Sequence, residues 1–144
     1  LVLRWLMKIL KIVSISLLLI YIGIVALFES LLGYYQPFDE NTSIVITTYN
    51  SDLEARDRVV SRIDSNDKFY VAANHWPRAW YRRALSNPNV EVTFKGKKNP
   101  YLAIPVKGIE HDVVNKDKAL PLRFKILTGF PPRYFLRLEL QTAN

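Results

Sequence analysis

The chain has no cysteine among its 144 residues. Disulfides, thiolate-held zinc, cysteine-ligated iron–sulfur clusters and cysteine nucleophiles are thereby excluded, while the redox compartment stays open. Only two histidines, His75 and His111, are present. They are too few for a multi-histidine centre, so no metal is expected. Glycine occurs five times and never in the spacing of a dinucleotide fingerprint, a phosphate-binding loop or a nucleophile elbow. Ser61, His75 and Asp112 can be assembled on paper into a hydrolytic triad, but no local motif supports it.

Apolar residues, by contrast, make up 49% of the chain, and aromatic residues 12%, which excludes disordered, low-complexity and collagen-like classes. The length fits one domain. Mean hydropathy is +0.01, high for a water-soluble domain, and the excess is concentrated at one end. From Ile12 to Phe28 there is no charged residue. Extended to Leu32, the run suits a helix of about 20 residues, enough to cross a hydrocarbon core of about 30 Å. Arg4, Lys8 and Lys11 precede it, and Glu29, Asp39 and Glu40 follow. The positive-inside rule then puts the N-terminus in the cytoplasm, with Trp5, Tyr34 and Tyr35 as interfacial anchors. A cleaved signal peptide and a helix lying in the interface are the competing readings. The first lacks a clean small-x-small site after Ala26, and the second lacks a polar face beyond Ser14 and Ser16. The division expected is residues 1–37 as membrane anchor and linker and 38–144 as one domain.

That domain is mildly basic, which suits an anionic ligand or lipid headgroups but is too diffuse for nucleic acid. Six strands are expected. Ile44–Tyr49 is β-branched and aromatic. Asp57–Ile63 and Lys68–Ala73 flank the turn residues Asp64-Ser65-Asn66-Asp67. Val90, Val92 and Phe94 alternate with polar residues, and Gly96–Asn99 turns the chain into Tyr101–Lys107, where Pro100 and Pro105 argue for an edge. Tyr134, Leu136, Leu138 and Leu140 alternate with Phe135, Arg137, Glu139 and Gln141. Two helical pieces interrupt the strands: Pro77–Leu85, with Trp76, Trp80 and Ala84 on one face and Arg78 and Arg82 on another, and a piece between Asn115 and Thr128, broken or begun at Pro121 and ended by Gly129. Such a set of elements predicts a mainly β, α+β fold, a small closed or partly closed antiparallel barrel preceded by a transmembrane helix.

The chemistry-bearing residues are densest from Ala72 to Arg83. A helix N-terminus there, joined by Arg78 and Arg82, would suit a phosphate. Trp76 and Trp80 would flank a planar ring, and Asn74 would bond its polar edge. Plainer readings stand beside these: Trp80 as core, His75 as a turn residue, the arginines as solvated or facing lipid headgroups, and His111 as surface loop.

The segment Tyr70–Val92, with Asn74, Trp80-Tyr81 and Asn87-Pro88-Asn89-Val90, resembles the deazaflavin-dependent nitroreductase/quinone reductase family. Ile44–Asn50, ending in paired threonines, and Thr128–Leu140 are similar to that family's first and last strand segments. The resemblance covers about Ser43 to Gln141. It implies a split β-barrel of the flavin-reductase type and reduction of quinones, nitro compounds or similar acceptors by a bound deazaflavin coenzyme of the F420 type or FMN. The implied cofactor-binding residues are Asn74, His75, Trp76, Pro77, Arg78, Trp80, Arg82 and Arg58; no catalytic residue is implied. One departure stands out. Where the family carries a basic loop, this chain has Asn50-Ser51-Asp52-Leu53-Glu54, and its nearest bases are Arg56, Arg58 and Arg62. Two functions are therefore expected to compete: a membrane-anchored oxidoreductase with a small-molecule acceptor such as a quinone, and a non-catalytic barrel binding haem, flavin or lipid at the bilayer. Sequence leaves the oligomeric state open, and it leaves open the side of the membrane on which the domain sits.

Overall fold

The computed structural model describes residues 1–142, so the last two positions of the expected 38–144 domain lie outside the described residues. The first element, α1, is a 34-residue helix, Val2–Tyr35, about 50 Å long at 1.5 Å per residue. It is long and apolar enough to cross a membrane. It stops where Gln36 turns left-handed, at φ 41, and its N–H closes on the Leu32 carbonyl at 3.1 Å.

Seven strands follow: β1 (Ser43–Tyr49), β2 (Ala55–Ser61), β3 (Ile63–Ser65), β4 (Lys68–Ala73), β5 (Asn89–Phe94), β6 (Lys97–Val106) and β7 (Tyr134–Leu140). The helices are α2 (Ala79–Ser86), α3 (Gly108–Asp117) and α4 (Leu122–Thr128). All ladders are antiparallel, in the order β2-β1-β5-β6-β7-β4-β3. The two edge strands of this order, β2 and β3, are consecutive in sequence, with Arg62 alone between them. The sheet therefore curls until its edges meet, as an antiparallel half-barrel with short helices.

Arg62 is also why there are seven strands and not six. The expected strand Asp57–Ile63 divides at this residue, whose N–H donates to the Thr42 carbonyl at 2.7 Å. Its guanidinium lies 4.8 Å from the ring centres of both Phe69 and Phe94 and bonds Asp64. The hairpin between β3 and β4 turns on Asn66 and Asp67, both at positive φ (49 and 58), the two-residue loop that matches strand twist. The β5–β6 hairpin uses Lys95 and Gly96 in the same way, at φ 48 and 75, so Lys97–Asn99 belong to β6 and not to the expected turn.

The prolines of β6 were expected at an edge, yet this strand lies inside the sheet order. The stagger resolves the conflict. Lys97–Leu102 pair with β5 and Tyr101–Val106 with β7. Pro100 and Pro105 each fall in the half that has one ladder neighbour, where a missing N–H costs nothing.

The main core contains Ile44, Ile46, Val71, Val90, Val92, Leu136 and Leu138, closed by Trp80 and Ala84 of α2. A second cluster holds Ile63, Tyr70, Val106, Phe135 and Val114 of α3. Phe135, expected on the polar side of β7, is 0% exposed because α3 covers that face. Two further expectations shift. The helix expected from Pro77 begins at Ala79, which leaves Trp76 ahead of it and not on its face. The piece expected over Asn115–Thr128 is two helices, and the first starts at Gly108, so His111 is helical; its Nε2 meets the Arg133 carbonyl at 2.8 Å.

Candidate functional site

Strand β4 ends at Ala73, and Asn74 to Arg78 carry the chain to α2 without regular structure. This segment forms one wall of a cleft of about 290 Å³, close to the lower bound of the ~300–1,000 Å³ typical of small-molecule sites. Arg58, Val60 and Ser61 of β2 form another wall, and Leu32 of α1, Gln36 at its C-cap and Phe124 of α4 close it. Five of the eight sequence-implied residues line this cleft: Arg58, Asn74, His75, Pro77 and Trp80.

Each has a defined state. Asn74 Oδ1 accepts from Arg133 Nε at 2.7 Å, which fixes the amide and leaves its NH₂ to donate. Burial pushes the Arg133 guanidinium down to about 10; it also donates to the Lys118 carbonyl and rests 4.7 Å from the Phe135 ring centre. His75 Nδ1 lies 3.0 Å from Glu29 Oε1, a carboxylate of α1 only 7% exposed. Trp80, 6% exposed, belongs to the core and shows the cleft only an edge of its environment. Arg58 donates to the Gly33 carbonyl at 3.3 Å, so α1 holds in place the one guanidinium that lines the cleft among the described residues.

The remaining three residues sit elsewhere. Trp76, 49% exposed, donates its indole N–H to the Thr128 carbonyl at 2.7 Å and lines a separate groove against α1. Arg78 donates Nε–H to the His75 carbonyl at 3.1 Å, and its guanidinium covers the Tyr134 ring at 4.8 Å. Arg82 faces a third depression with Tyr49, Asn50, Leu53 and Arg83. The expected pairing of Arg78 and Arg82 on one anion therefore does not form: one is the N-cap of α2 and the other lies a full turn along it. Arg56 is paired with Glu54 and Arg62 with Asp64, which leaves Arg58 as the base of that group that reaches the cleft. Among the described residues no cluster of three potential ligands could hold a metal ion. Ser61 and His75 share the cleft without a hydrogen bond between them, and Asp112 lies on α3 beside His111, so the paper triad is not assembled.

The sequence marks Glu29 only as a charge that follows the apolar run, and Arg133 not at all. Their partners lie 46 and 59 positions away, and nothing local marks either contact.

The geometry defines a seven-stranded antiparallel half-barrel with a cleft beside its α2 entry. No family model matches the chain, and no curated protein matches it. Solved structures do. A chain described as a domain-swapped dimer is 22% identical, covering 68% of this chain and 80% of its own, at TM-score 0.56. HutZ, the heme storage protein from Vibrio cholerae, is 14% identical, covering 71% and 83%, at TM-score 0.51. A NimC/NimA family protein from Clostridium acetobutylicum is 15% identical, covering 68% and 73%, at TM-score 0.50. At such identities the likeness shows the fold alone.

Proposed function

We propose that this protein is a membrane-anchored oxidoreductase whose cleft binds a flavin-type ring and passes its electrons to a small acceptor such as a quinone or a nitro compound. The observation that carries the reading is the convergence of Arg58, Asn74, His75, Pro77 and Trp80 on one cleft, within the segment whose sequence resembles the deazaflavin-dependent reductases. The donor set fits a ring with a single phosphate. One guanidinium, Arg58, and one amide, held at Asn74 by Arg133, are available to an anion and to ring carbonyls. A polyanionic tail finds less, since Arg78 is engaged with His75 and Tyr134, Arg82 faces elsewhere, and Asp52 and Glu54 occupy the loop where bases would be needed. FMN is accordingly favoured over a deazaflavin coenzyme of the F420 type.

When bound, such a ring supplies hydride or single electrons, and the protein need contribute no nucleophile. The chain's own residues position and shield. Trp80 and Pro77 give the cleft a rigid wall, Leu32 and Phe124 keep water from one side, and Asn74 presents amide hydrogens whose direction Arg133 sets. The helix α1 would hold the cleft at the bilayer, where lipid-soluble acceptors are concentrated.

A haem-binding reading is favoured by one observation, the likeness to the heme storage protein HutZ together with a histidine in the cleft. One titration separates the two. The full chain, purified in detergent, is titrated with FMN, a deazaflavin coenzyme and haem while the absorbance of each is followed. FMN is expected to bind, with Arg58→Ala weakening it about tenfold or more, the effect of losing a charge-assisted hydrogen bond of about 1.5–3 kcal/mol, and Arg82→Ala leaving it unchanged. Haem binding alone would transfer the site to the second reading. Binding of none of the three, or equal losses at Arg58 and Arg82, would overturn both. A reporter fused to the C-terminus reads whether the domain lies across the membrane from the N-terminus.

A further inference from the structure

Beside the cleft, on the other side of the His75–Glu29 contact, runs a groove of about 560 Å³ between α1 and the Trp76–Pro77 segment. Its two ends differ in chemistry. Ile22, Val25 and Ala26 belong to the charge-free run of α1 and make one end apolar, while Glu29 and Ser30 lie just past that run at the other. Gly129 forms part of the far wall at φ +69, and a Cβ there would stand 3.0 Å from Val25, so the wall comes this close to α1 only because that residue has no side chain.

Glu29 is the unusual element. Its carboxylate is 7% exposed, and Oε1 faces His75. The second oxygen, Oε2, is buried and has no hydrogen-bond partner. An orphaned carboxylate oxygen in an apolar wall is among the more costly arrangements a fold can hold. Ser30 does not relieve it, because its hydroxyl donates to the Ala26 carbonyl at 2.6 Å. A donor is missing, and Glu29 is itself part of the lining of the groove.

We propose that this groove is a binding site for a lipid-dissolved molecule with a hydroxyl-bearing ring, of the hydroquinone or phenol type, whose O–H donates to Glu29 while its apolar tail follows Ile22 and Val25 toward the bilayer. The passage from apolar to polar lining suits such a molecule, and Trp76, 49% exposed, adds an aromatic side chain to the wall. The proposal deepens the reductase reading by giving its lipid-soluble partner a place on α1, and rests on that reading only for a redox role. The hydrogen bond itself stands on Glu29. Free hydroxyls of membrane lipids offer the same donor and serve as the second arm of the test.

The test uses the full chain in detergent without any flavin, so that failure of the cofactor reading leaves it informative. Decylhydroquinone, its dimethyl ether and dioleoylglycerol are titrated while tryptophan fluorescence is followed. Decylhydroquinone is expected to bind at least tenfold more tightly than its ether, because the ether leaves Oε2 unpaired. Glu29→Leu should abolish that difference while the barrel keeps its unfolding midpoint. Ala26→Phe, which fills the groove from the lipid side and leaves Glu29 in place, should weaken the hydroquinone by a similar factor. Equal binding of hydroquinone and ether, or a preference that survives Glu29→Leu, overturns the proposal. Dioleoylglycerol binding more tightly than the hydroquinone overturns the ring assignment in favour of a lipid.

Discussion

Inside the barrel, Ile44, Ile46, Val71, Val92, Leu136 and Trp80 belong to one buried apolar cluster. Along the seam where α1 meets the barrel, the ties are polar and widely spaced. Tyr21 donates to the Ile126 carbonyl at 2.7 Å, Glu29 meets His75 at 3.0 Å, Gly33 accepts from Arg58, and Gln36 Oε1 accepts the Val59 N–H at 3.1 Å. Tyr21, Glu29 and Gly33 lie eight and four residues apart, close to two turns and one turn, and so fall on one stripe of α1 that Gln36 continues at its C-cap, while the opposite face of the same helix stays exposed over its whole length. The interior supplies stability through burial, and each tie of the seam is worth about 0.5–1.5 kcal/mol net. The seam contributes placement: it sets α1 against both the cleft and the groove.

The largest effect should come from the interior. Trp80→Ala is expected to cost about 3–5 kcal/mol by leaving a cavity beside Ala84 and Val90, measured by denaturant unfolding of the full chain in detergent. A loss below 1 kcal/mol would mean that burial at Trp80 is not what holds α2 down. Gly129→Ala attacks the seam. The left-handed backbone at φ +69 disfavours a side chain by about 1–2 kcal/mol, and the added methyl presses on Val25. Faster amide exchange in α4 with the barrel strands unchanged is the expected signature; uniform acceleration would show that seam and barrel unfold together.

Acid probes a third attachment, that of α3. Arg137 bonds both oxygens of Glu110 at 2.7 and 2.8 Å, and Tyr70 adds a third bond at 2.8 Å. These bonds hold the Glu110 carboxyl below its ordinary value of 4.5, the Arg137 bond being the largest cause and the Tyr70 bond the next. A depressed carboxylate stabilises the fold fully above its unfolded value, and that contribution is lost as pH falls through the folded one. Stability should therefore decline as pH drops below about 4.5, and Glu110→Gln should flatten the profile in that window. The group is partly exposed, so the change is modest. The smallest effect belongs to the outer face of α1: Ile20→Ala should leave barrel unfolding within about 0.5 kcal/mol. A larger loss there would show that the exposed face of α1 also touches the barrel.

Strands β1 and β5 were legible because β-branched runs and strict alternation leave no helical solution for Ile44–Tyr49 or Val90–Phe94. Element ends were not. Pro77 reads as a helix start, but Arg78 takes the N-cap, and Gly108, at φ 62, opens α3 seven residues ahead of its expected position. The break at Arg62 has no proline or glycine to announce it; only the curl of the sheet requires it. At the site, local density singled out Asn74–Trp80, where strand, irregular segment and helix succeed one another quickly. The partners that orient those residues, Glu29 and Arg133, come from distant parts of the chain. Arg83 shows the same limit. It reads as a solvated residue of α2, yet it donates to Thr48 Oγ1 at 3.0 Å and is half-buried, and burial is the first cause of its lowered value, ahead of Arg56 and Arg82.

Arg62 has a topological consequence. Because one residue joins the two edge strands, the cyclic order of strands has no loose end at that point, and Ser61 and Ile63 can separate by no more than the roughly 7 Å that two residues of extended chain span. The guanidinium between Phe69 and Phe94 ties the same point to β4 on one flank and β5 on the other. A chain cleaved on the C-terminal side of Arg62 would keep every ladder pairing and lose this tether. Comparing its opening rate with that of the parent chain would measure how much of the barrel's closure is a matter of connectivity and how much of packing.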